Sequence, residues 1–424
     1  MSGRRRATAA VSQLVGSAAL AGLLGYLTTW LVFRFSGPEA YAVFAVFWSA
    51  MYFVGGALAG VQQEVARATH AADDGEQRGR WPLGLIASGM LGLVVVIAGS
   101  SPLWIATAFP SRGWWFLPPL LVGAGLYVVF IVIHGTLAGM RGWSTIAWTT
   151  AIDALVRTSL VAAGAGLGFP PVVLAWFVAL PFGLTLLILL PRYRRVLGAG
   201  FRRDVPDRRL ARNIVMTLLA STAMALAVNG LPFLAAVTSP GVPVVVLANV
   251  VFVLVLVRAP LILLATSLQG ALIVRLRDPR GRLRILLIGT GGVLAVGVVL
   301  GLAVWGIGPA LFDWIAGRPL GIGGGFIAVL VASSALIAAL YITGTALIVS
   351  HRHTWNTAGW VATAFATIVS LVLPFGFETR LGLAVLAGPA IGLVLHLTVL
   401  LTGTVTRLPE PVDLELEYRD PLGE

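Results

Sequence analysis

The sequence predicts an all-α polytopic membrane protein with about 12 transmembrane helices, and three observations support this fold class. The first is composition: the 424 residues are 58% hydrophobic and 11% charged, with a mean hydropathy of +0.94. A soluble domain is about half apolar and about a quarter charged, so this chain has more apolar surface than one water-facing fold buries. The second is a series of long apolar runs, and the third is the placement of arginine.

Twelve apolar runs are bounded by charged residues, glycine or proline, and each is long enough to be one transmembrane helix of about 20 residues. In order, spans one to twelve lie at 11–33, 41–62, 82–100, 114–137, 143–167, 170–190, 214–236, 243–268, 285–306, 323–349, 356–376 and 381–402. Strands of a membrane barrel alternate polar and apolar residues over about 10 positions. These runs are longer and apolar on all sides, so we predict helices. The first run also exceeds the apolar region of a cleaved signal peptide, which predicts an uncleaved first span.

The positive charge of the chain, formally +12 without any lysine, follows this topology. With twelve spans, 23 of the 29 arginines fall on the side of the two termini, four on the opposite side and two inside spans. Because arginine collects in cytoplasmic loops, we predict that both termini are cytoplasmic. The predicted topology thereby accounts for the net positive charge of the chain, and we expect no nucleic-acid partner.

The longest basic loop divides the chain into two halves. We predict an N-terminal six-helix bundle over 1–190, a basic cytoplasmic linker over 191–213, a C-terminal six-helix bundle over 214–402 and an acidic cytoplasmic tail over 403–424. The junctions 36–38 and 239–241, each containing serine, glycine and proline, hold equivalent places in the two halves. Repeated halves are typical of secondary transporters, which bind their substrate at the repeat interface.

Ionisable side chains inside spans are costly, and each is therefore a candidate functional residue. Asp153 and Arg157 lie four residues apart on one helical face and could pair, either for function or only for packing. Arg258 lies two residues before Pro260 and could bind an anionic head group in a central cavity. The structural alternative for Arg258 is snorkelling or pairing with a carboxylate elsewhere in the bundle.

The other candidates lie nearer the membrane surfaces or are uncharged. Glu64, at the cytoplasmic end of span two, is either a coupling site or a solvated helix end. Arg34, at the outer end of span one, either lines a cavity or anchors the helix at the interface. Residues that could relay protons or hydrogen-bond between helices are His134, His396, Asn229 and Gln269.

Signatures of catalysis and of metal binding are absent from the sequence. There is no cysteine, no phosphate-binding loop of the G-x-x-x-x-G-K-[ST] type, no H-E-x-x-H and no G-x-S-x-G. We therefore expect a protein that is not an enzyme and that needs no cofactor or metal. A membrane-embedded glycan-processing enzyme would present an acidic cluster on the outer side. A scaffold for a biosynthetic complex is indicated only by the basic loop over 191–213.

Three motifs carry a resemblance to a known family. The segment V-F-R-F-S-G-P-E-A-Y-A-V-F over 32–44 resembles the junction of spans one and two in the polysaccharide flippases of the multidrug/oligosaccharidyl-lipid/polysaccharide exporter superfamily. The R-x-P pattern that begins at Arg258 and the L-A-G-M-R-G segment over 137–142 are similar to motifs in span eight and between spans four and five of that family. The resemblance implies a V-shaped pair of bundles around a central cavity that opens alternately to each side.

The resemblance also implies a substrate, a polyprenyl-pyrophosphate-linked oligosaccharide or related lipid-linked glycan, and membrane lipids as partners. It implies a multi-pass location in a bacterial plasma (inner) membrane. The expected substrate-binding residues are Arg258, Arg34, Arg157, Asn229 and Gln269. A proton or sodium gradient would drive transport, and the expected coupling residues are Glu64, Asp153 and His134. The alternative within the same fold is a cation-coupled multidrug antiporter, which predicts a cavity poor in cations and rich in acids and aromatic residues.

Overall fold

The computed structural model describes the backbone of residues 2–71, 83–110, 113–198, 201–203, 205–276 and 281–402. Side chains are described over the same ranges except at 2–11, 71, 85, 198, 201–203 and 259–274. The predicted acidic tail over 403–424 lies outside the described residues. Within them, the chain consists of α-helices, one short 3₁₀ turn (Gly113–Phe116) and a two-stranded ribbon formed by β1 (Thr69–Ala71) and β2 (Phe201–Arg203).

The helices of the N-terminal half are α1 (Ser2–Ala57), α2 (Ala59–Ala68), α3 (Leu83–Ala108), α4 (Leu117–Gly139), α5 (Trp143–Gly166), α6 (Pro171–Ala179), α7 (Pro181–Ile188) and α8 (Leu190–Gly198). Those of the C-terminal half are α9 (Asp207–Val228), α10 (Leu231–Thr238), α11 (Val244–Leu276), α12 (Arg282–Ala316), α13 (Gly324–Val349), α14 (His353–Leu371) and α15 (Phe377–Thr402).

All twelve predicted spans fall on these helices. In the described part of the chain, nine helical segments are long and apolar enough to cross a membrane, and the first of them, Ser12–Ala68, contains spans one and two. The prediction of an all-α polytopic fold is confirmed. The helices form because a backbone in hydrocarbon must satisfy its own hydrogen bonds, which a helix does within a single segment.

Spans one and two are joined by a sharp kink rather than by a loop. The backbone leaves the helical conformation at Gly37, with φ 80° and ψ 170°, and Pro38 follows inside the second arm. A positive φ favours glycine because other residues place their Cβ against the backbone. Pro38 is suited to the first turn of the second arm, because N–H groups there have no partner within the helix and proline has no N–H.

Breaks also divide spans six and seven. The first lies between α6 and α7, directly before Pro181, and the second lies between α9 and α10 at Asn229 and Gly230, two residues before Pro232. The helix that begins span seven starts at Asp207, seven residues earlier than predicted from the apolar run at 214–236. The predicted linker over 191–213 is partly helical. Its basic residues belong to α8 and to the first turns of α9.

Contacts at the ends of the helices join segments that the predicted topology places on the same side of the membrane. The ribbon joins the segment after span two to the segment after span six, and the prediction places both on the cytoplasmic side. On the opposite side, the Trp30 indole N–H donates to the Ile315 carbonyl at 2.9 Å, and the Arg380 guanidinium donates to the Thr238 carbonyl at 3.2 Å.

The same turn is built twice, once in each half. Arg141 has φ 60° and His351 has φ 58°, and these two non-glycine residues with positive φ lie 210 residues apart. In each turn, the amide of the next residue donates to the carbonyl four residues before the left-handed position, at 2.7 and 2.8 Å. The turns join α4 to α5 and α13 to α14, which are equivalent connections in the two halves.

Candidate functional site

A cavity of about 260 Å³ lies between the two halves near the middle of the membrane-spanning helices, and we call it the central cavity. Both arms of α1, the break between α9 and α10, and α11 form its walls. The residues that line it are Ala21, Gly22, Gly25, Tyr26, Thr29, Tyr41, Phe44, Ala45, Trp48, Ser49, Tyr52, Val228, Asn229, Pro232, Leu254, Val255 and Arg258.

Arg258 places a cation in this cavity. Its side chain is 7% exposed, and Nη1 donates to the carbonyl oxygens of Ala227 at 3.2 Å and Val228 at 3.0 Å. These carbonyls end α9, where the last turn has no amide partners of its own and carries the negative end of the helix dipole. The buried Nε has no hydrogen-bond partner. No carboxylate lies within ion-pair distance of Arg258 among the residues whose side chains are described.

Asn229 and Ser49 form one wall of the central cavity. The Ser49 hydroxyl donates to the Asn229 carbonyl and accepts from the Phe233 amide at 3.1 Å. The Asn229 side-chain amide donates to the Tyr52 carbonyl at 3.3 Å. The break between α9 and α10 leaves backbone N–H and C=O groups without partners inside a helix, partly because Pro232 has no N–H. Side chains and backbone of the second arm of α1 supply those partners.

Asp153 and Arg157 form an ion pair inside the N-terminal half, next to the central cavity and not on its wall. Arg157 Nη2 donates to Asp153 Oδ1 at 2.7 Å, Nη1 donates to the Tyr52 hydroxyl at 2.9 Å, and Nε donates to the Val178 carbonyl at 3.1 Å. The guanidinium carbon lies 4.2 Å from the centroid of the Phe182 ring, a cation–π distance. Tyr52 lines the cavity, so its hydroxyl connects this buried pair to the cavity wall.

Glu64 lies at a seam between the halves on the predicted cytoplasmic side. Its Oε1 accepts from Arg67 Nη1 at 2.8 Å and from the Thr217 hydroxyl at 2.9 Å. The Ser221 hydroxyl donates to the Ala57 carbonyl at 2.6 Å, one turn further into the membrane. Helix α9 is thus bonded to α2 and to the end of α1 along this seam.

Three of the sequence-predicted candidates lie away from the central cavity. Arg34 is exposed at the outer end of span one, with its guanidinium against Gly317. His134 is buried on α4 with its ring 4.4 Å from that of Phe130, and its Nε2 has no hydrogen-bond partner. His396 Nδ1 is 3.0 Å from the Thr343 hydroxyl. The side chain of Gln269 lies outside the described residues.

Sequence reasoning missed the aromatic and hydroxyl residues of the cavity wall. Trp48 and Tyr52 lie four residues apart, and their rings stack at 4.7 Å between centroids. That spacing puts them on one helical face, which was the available signal. Ser49 gave no signal, because serine is common in membrane helices as a packing residue.

The outer end of the central cavity is closed by contacts between the halves. Phe33 stacks on Phe252 with centroids 3.9 Å apart, and Tyr41 meets both rings edge-on. The Arg318 guanidinium lies 4.7 Å from the Phe33 ring centroid and donates to Asn249 Oδ1 at 2.6 Å. Desolvation lowers the pKa of Arg318. Within the described residues, no three histidine or acidic side chains group as metal ligands.

Comparison with solved structures defines the class of fold. A multidrug resistance MATE family transporter of the MOP superfamily, in an inward-facing conformation, aligns with a TM-score of 0.66 at 15% identity, over 91% of this chain and 96% of that one. The lipid II flippase MurJ, in an inward closed conformation, aligns with a TM-score of 0.65 at 10% identity, over 91% and 87%. The fold is therefore that of the MATE and MurJ transporters of the MOP superfamily, and the chain is a multi-pass membrane protein.

Sequence comparison defines the family. No family model matches the chain. The uncharacterized protein Rv3630 of Mycobacterium tuberculosis is 31% identical over 408 residues, which is 94% of each chain. The uncharacterized protein Rv1510 of the same organism is 31% identical over 401 residues, 93% of this chain and 92% of its own length. The chain belongs to the family of these mycobacterial proteins.

Proposed function

We propose that the protein is a flippase that moves a polyprenyl-pyrophosphate-linked oligosaccharide, or a related lipid-linked glycan, across the bacterial plasma membrane. The observation that carries the proposal is Arg258, a buried cation on the wall of the central cavity with an unpartnered Nε and no described carboxylate beside it. Solved structures of similar fold include a lipid flippase, MurJ, and a MATE multidrug resistance transporter.

A buried cation is favourable only where other charges or hydrogen bonds replace its lost hydration. Two carbonyl oxygens compensate Arg258 in part, and its buried Nε has no hydrogen-bond partner. A diphosphate group supplies several acceptor oxygens and negative charge, and arginine binds such groups through parallel hydrogen bonds. Attraction between the two is stronger in a membrane-embedded cavity than in water because the effective dielectric constant is lower. The site is thus suited to an anionic head group.

The multidrug alternative needs a different cavity. A site for cationic drugs would present acids, and the lining residues named above include none. Asp153 is the nearest candidate in the N-terminal half, and it is paired with Arg157. The aromatic residues Trp48 and Tyr52 fit either reading, because rings bind sugars as well as drugs through their apolar faces. The charge of the cavity therefore favours an anionic substrate.

Transport needs a driving force, and we propose proton or sodium coupling through Asp153. Arg157 bonds both the Asp153 carboxylate and the Tyr52 hydroxyl, so a change in the charge or ligation of Asp153 reaches the cavity wall through two hydrogen bonds. Glu64 is a second candidate because it bonds across the cytoplasmic seam to Thr217. His134 is a third candidate, since it is a buried ionisable side chain whose Nε2 has no hydrogen-bond partner.

The test is translocation of a fluorescent undecaprenyl-pyrophosphate-linked sugar in proteoliposomes. One charge-assisted hydrogen bond to phosphate is worth about 1.5–3 kcal/mol, which corresponds to a roughly 10- to 150-fold loss of rate in Arg258→Gln. Arg258→Lys keeps the charge and should retain an intermediate rate. Arg212→Gln, an exposed arginine at the start of α9, is the matched control and should match the wild type.

Two outcomes would contradict the proposal. Translocation by Arg258→Gln at the wild-type rate would remove the cation from the mechanism. Export of a cationic dye by the wild type, with no movement of the lipid-linked sugar, would favour the antiporter. Mass analysis of the sugar after transport checks the expectation that the protein is not an enzyme, because a transporter leaves its substrate unchanged. Gradient dependence of the rate in Asp153→Asn tests coupling separately.

A further inference from the structure

A second cavity lies beside the central cavity, and its chemistry is different. It measures about 510 Å³ and is enclosed by the second arm of α1, by α2, α3 and α4, and by α9 and α10. We call it the apolar slot, and representative lining residues are Val54, Leu58, Ile97, Val128, Leu218 and Phe233. Its polar lining side chains are Ser100, whose hydroxyl donates to the Ile97 carbonyl, and Thr222.

The apolar slot extends along span two. Its lining runs from Ala50 to Val65 on that side, which is roughly 22 Å at 1.5 Å per residue. The slot therefore follows span two across roughly three quarters of a hydrocarbon core that is about 30 Å thick, and its volume of about 510 Å³ has room for a stretch of hydrocarbon chain.

Hydrocarbon suits the slot better than water does, because the apolar lining offers van der Waals contacts and few of the two to four polar partners that a water molecule requires. The slot is also open towards the lipid-facing surface. Helix α3, which forms one of its walls, is mostly exposed, and its lining residue Val96 is 66% exposed.

The apolar slot and the central cavity share two walls. On span two, Trp48 lines the central cavity, whereas Ala50, two residues further along and about 200° around the helix, lines the slot. The α10 wall is shared by Pro232, which lines the central cavity, and Phe233, which lines the slot. The two cavities therefore lie on opposite faces of span two, about one helix diameter, 10 Å, apart. The bonds from Ser49 to Asn229 and Phe233 close the wall between them.

We propose that the apolar slot holds the hydrocarbon chain of the substrate while its anionic head group enters the central cavity. The inference rests on the proposed function, because it assigns the second part of the same amphiphile. The head group and the chain lie on either side of span two, and parting of the hydrogen bonds that Ser49 makes with Asn229 and Phe233 lets the linking atoms pass. The slot thereby selects for a long hydrocarbon chain, and Arg258 selects for an anionic head group.

Glycines on α3 allow the slot to be filled without disturbing the fold. Gly92 lines the slot, and a Cβ added to it would meet no heavy atom within 4 Å. Gly99 lies on the same helix, is equally unobstructed and is not a lining residue. Gly92→Phe therefore places a ring in the channel, and Gly99→Phe is the matched control that adds the same ring elsewhere on α3.

The experiment uses the full chain in proteoliposomes, with two measurements on each variant. The first is translocation of the fluorescent undecaprenyl-pyrophosphate-linked sugar, and the second is binding of inorganic pyrophosphate, which has a head group and no chain, by calorimetry. We expect Gly92→Phe to translocate at least tenfold more slowly than Gly99→Phe, with an unchanged Kd for pyrophosphate. Arg258→Gln should lose both activities.

The outcomes separate this proposal from the proposed function. Equal translocation by Gly92→Phe and Gly99→Phe would overturn the slot, while loss in Arg258→Gln would still support the head-group site. Weaker pyrophosphate binding in Gly92→Phe would indicate a distorted cavity and would equally overturn the slot. If the wild type does not translocate the sugar, photocrosslinking tests the slot on its own, with an undecaprenyl phosphate that carries a photoreactive group at its chain end. Adducts on α3 and span two would support the slot, and adducts elsewhere would refute it.

Discussion

Asp153 and Arg157 form a buried ion pair, and replacing Arg157 should destabilise the protein more than replacing Asp153. Arg157 makes three hydrogen bonds, to Asp153, Tyr52 and the Val178 carbonyl, whereas Asp153 accepts one of them. Arg157→Met leaves a buried carboxylate without a partner, and such losses cost about 3–5 kcal/mol. Asp153→Asn keeps an oxygen that accepts from Arg157, so we expect about 1–3 kcal/mol.

The double variant Asp153→Leu with Arg157→Met removes both charges at once. Replacing a buried ion pair with apolar side chains is often neutral or stabilising, so we expect it within about 1 kcal/mol of the wild type. One kcal/mol shifts Tm by about 2–4 °C in chains of 150–250 residues, and the shift falls with size, to about 1–2 °C here. Tm should then fall by about 3–10 °C in Arg157→Met and by about 1–6 °C in Asp153→Asn.

Thermal unfolding of the purified protein in detergent, followed by tryptophan fluorescence, measures these shifts. The chain has 13 tryptophans, which makes the signal strong without a label. The reasoning is refuted if Asp153→Asn lowers Tm as much as Arg157→Met, or if the double variant is less stable than both single variants. The first result would mean that Arg157 depends on the charge of Asp153 and not only on its oxygen as an acceptor. The second would mean that each side chain stabilises the protein through contacts outside the pair.

Three further predictions concern strain, the seam and pH. Gly317→Ala and Gly321→Ala both force alanine to a positive φ, which costs about 1–2 kcal/mol of stability. Only the Cβ added at Gly317 overlaps a guanidinium, that of Arg34, so the Tm of Gly317→Ala should fall further than that of Gly321→Ala. In this cysteine-free chain, Gly60→Cys with Ser221→Cys should form a disulfide that stops translocation and is reversed by reductant, and full activity of the oxidised form would contradict alternating access through this seam. Partial burial and nearby cations lower the pKa of His353 below 6.5, so stability should fall as pH drops below that value, and His353→Gln should flatten the fall.

The number and order of the helices could be predicted from the sequence because hydrocarbon imposes one rule on every span. Each run of about 20 apolar residues must satisfy its own backbone, whichever neighbours it has. The start of α9 at Asp207 could not be predicted from hydropathy, because its first turns are arginine-rich and lie outside the apolar run at 214–236. Proline at 206 and an acid in the first turn were the local signals for that start.

The lining of the central cavity was predictable only in part. Arg258 and Asn229 were found because polar groups are rare in spans, and both lie on the cavity wall. Arg34 followed the same rule and lies at the outer surface beside Gly317. Helices that are apolar on every side carry no pattern that tells a cavity face from a lipid face, so the contributions of Trp48 and Tyr52 depend on packing that only the tertiary structure shows.

The duplicated turn at Arg141 and His351 has a mechanical consequence. Both turns are closed by backbone hydrogen bonds, so their geometry does not depend on which side chains occupy them. Each half therefore has the same short connection between its fourth and fifth spans, with a conformation fixed by backbone hydrogen bonds. If the two halves move relative to each other during transport, we expect the backbone to change at Gly37 and at Asn229 and Gly230, where spans one and two meet and where span seven is interrupted, and not at these two turns.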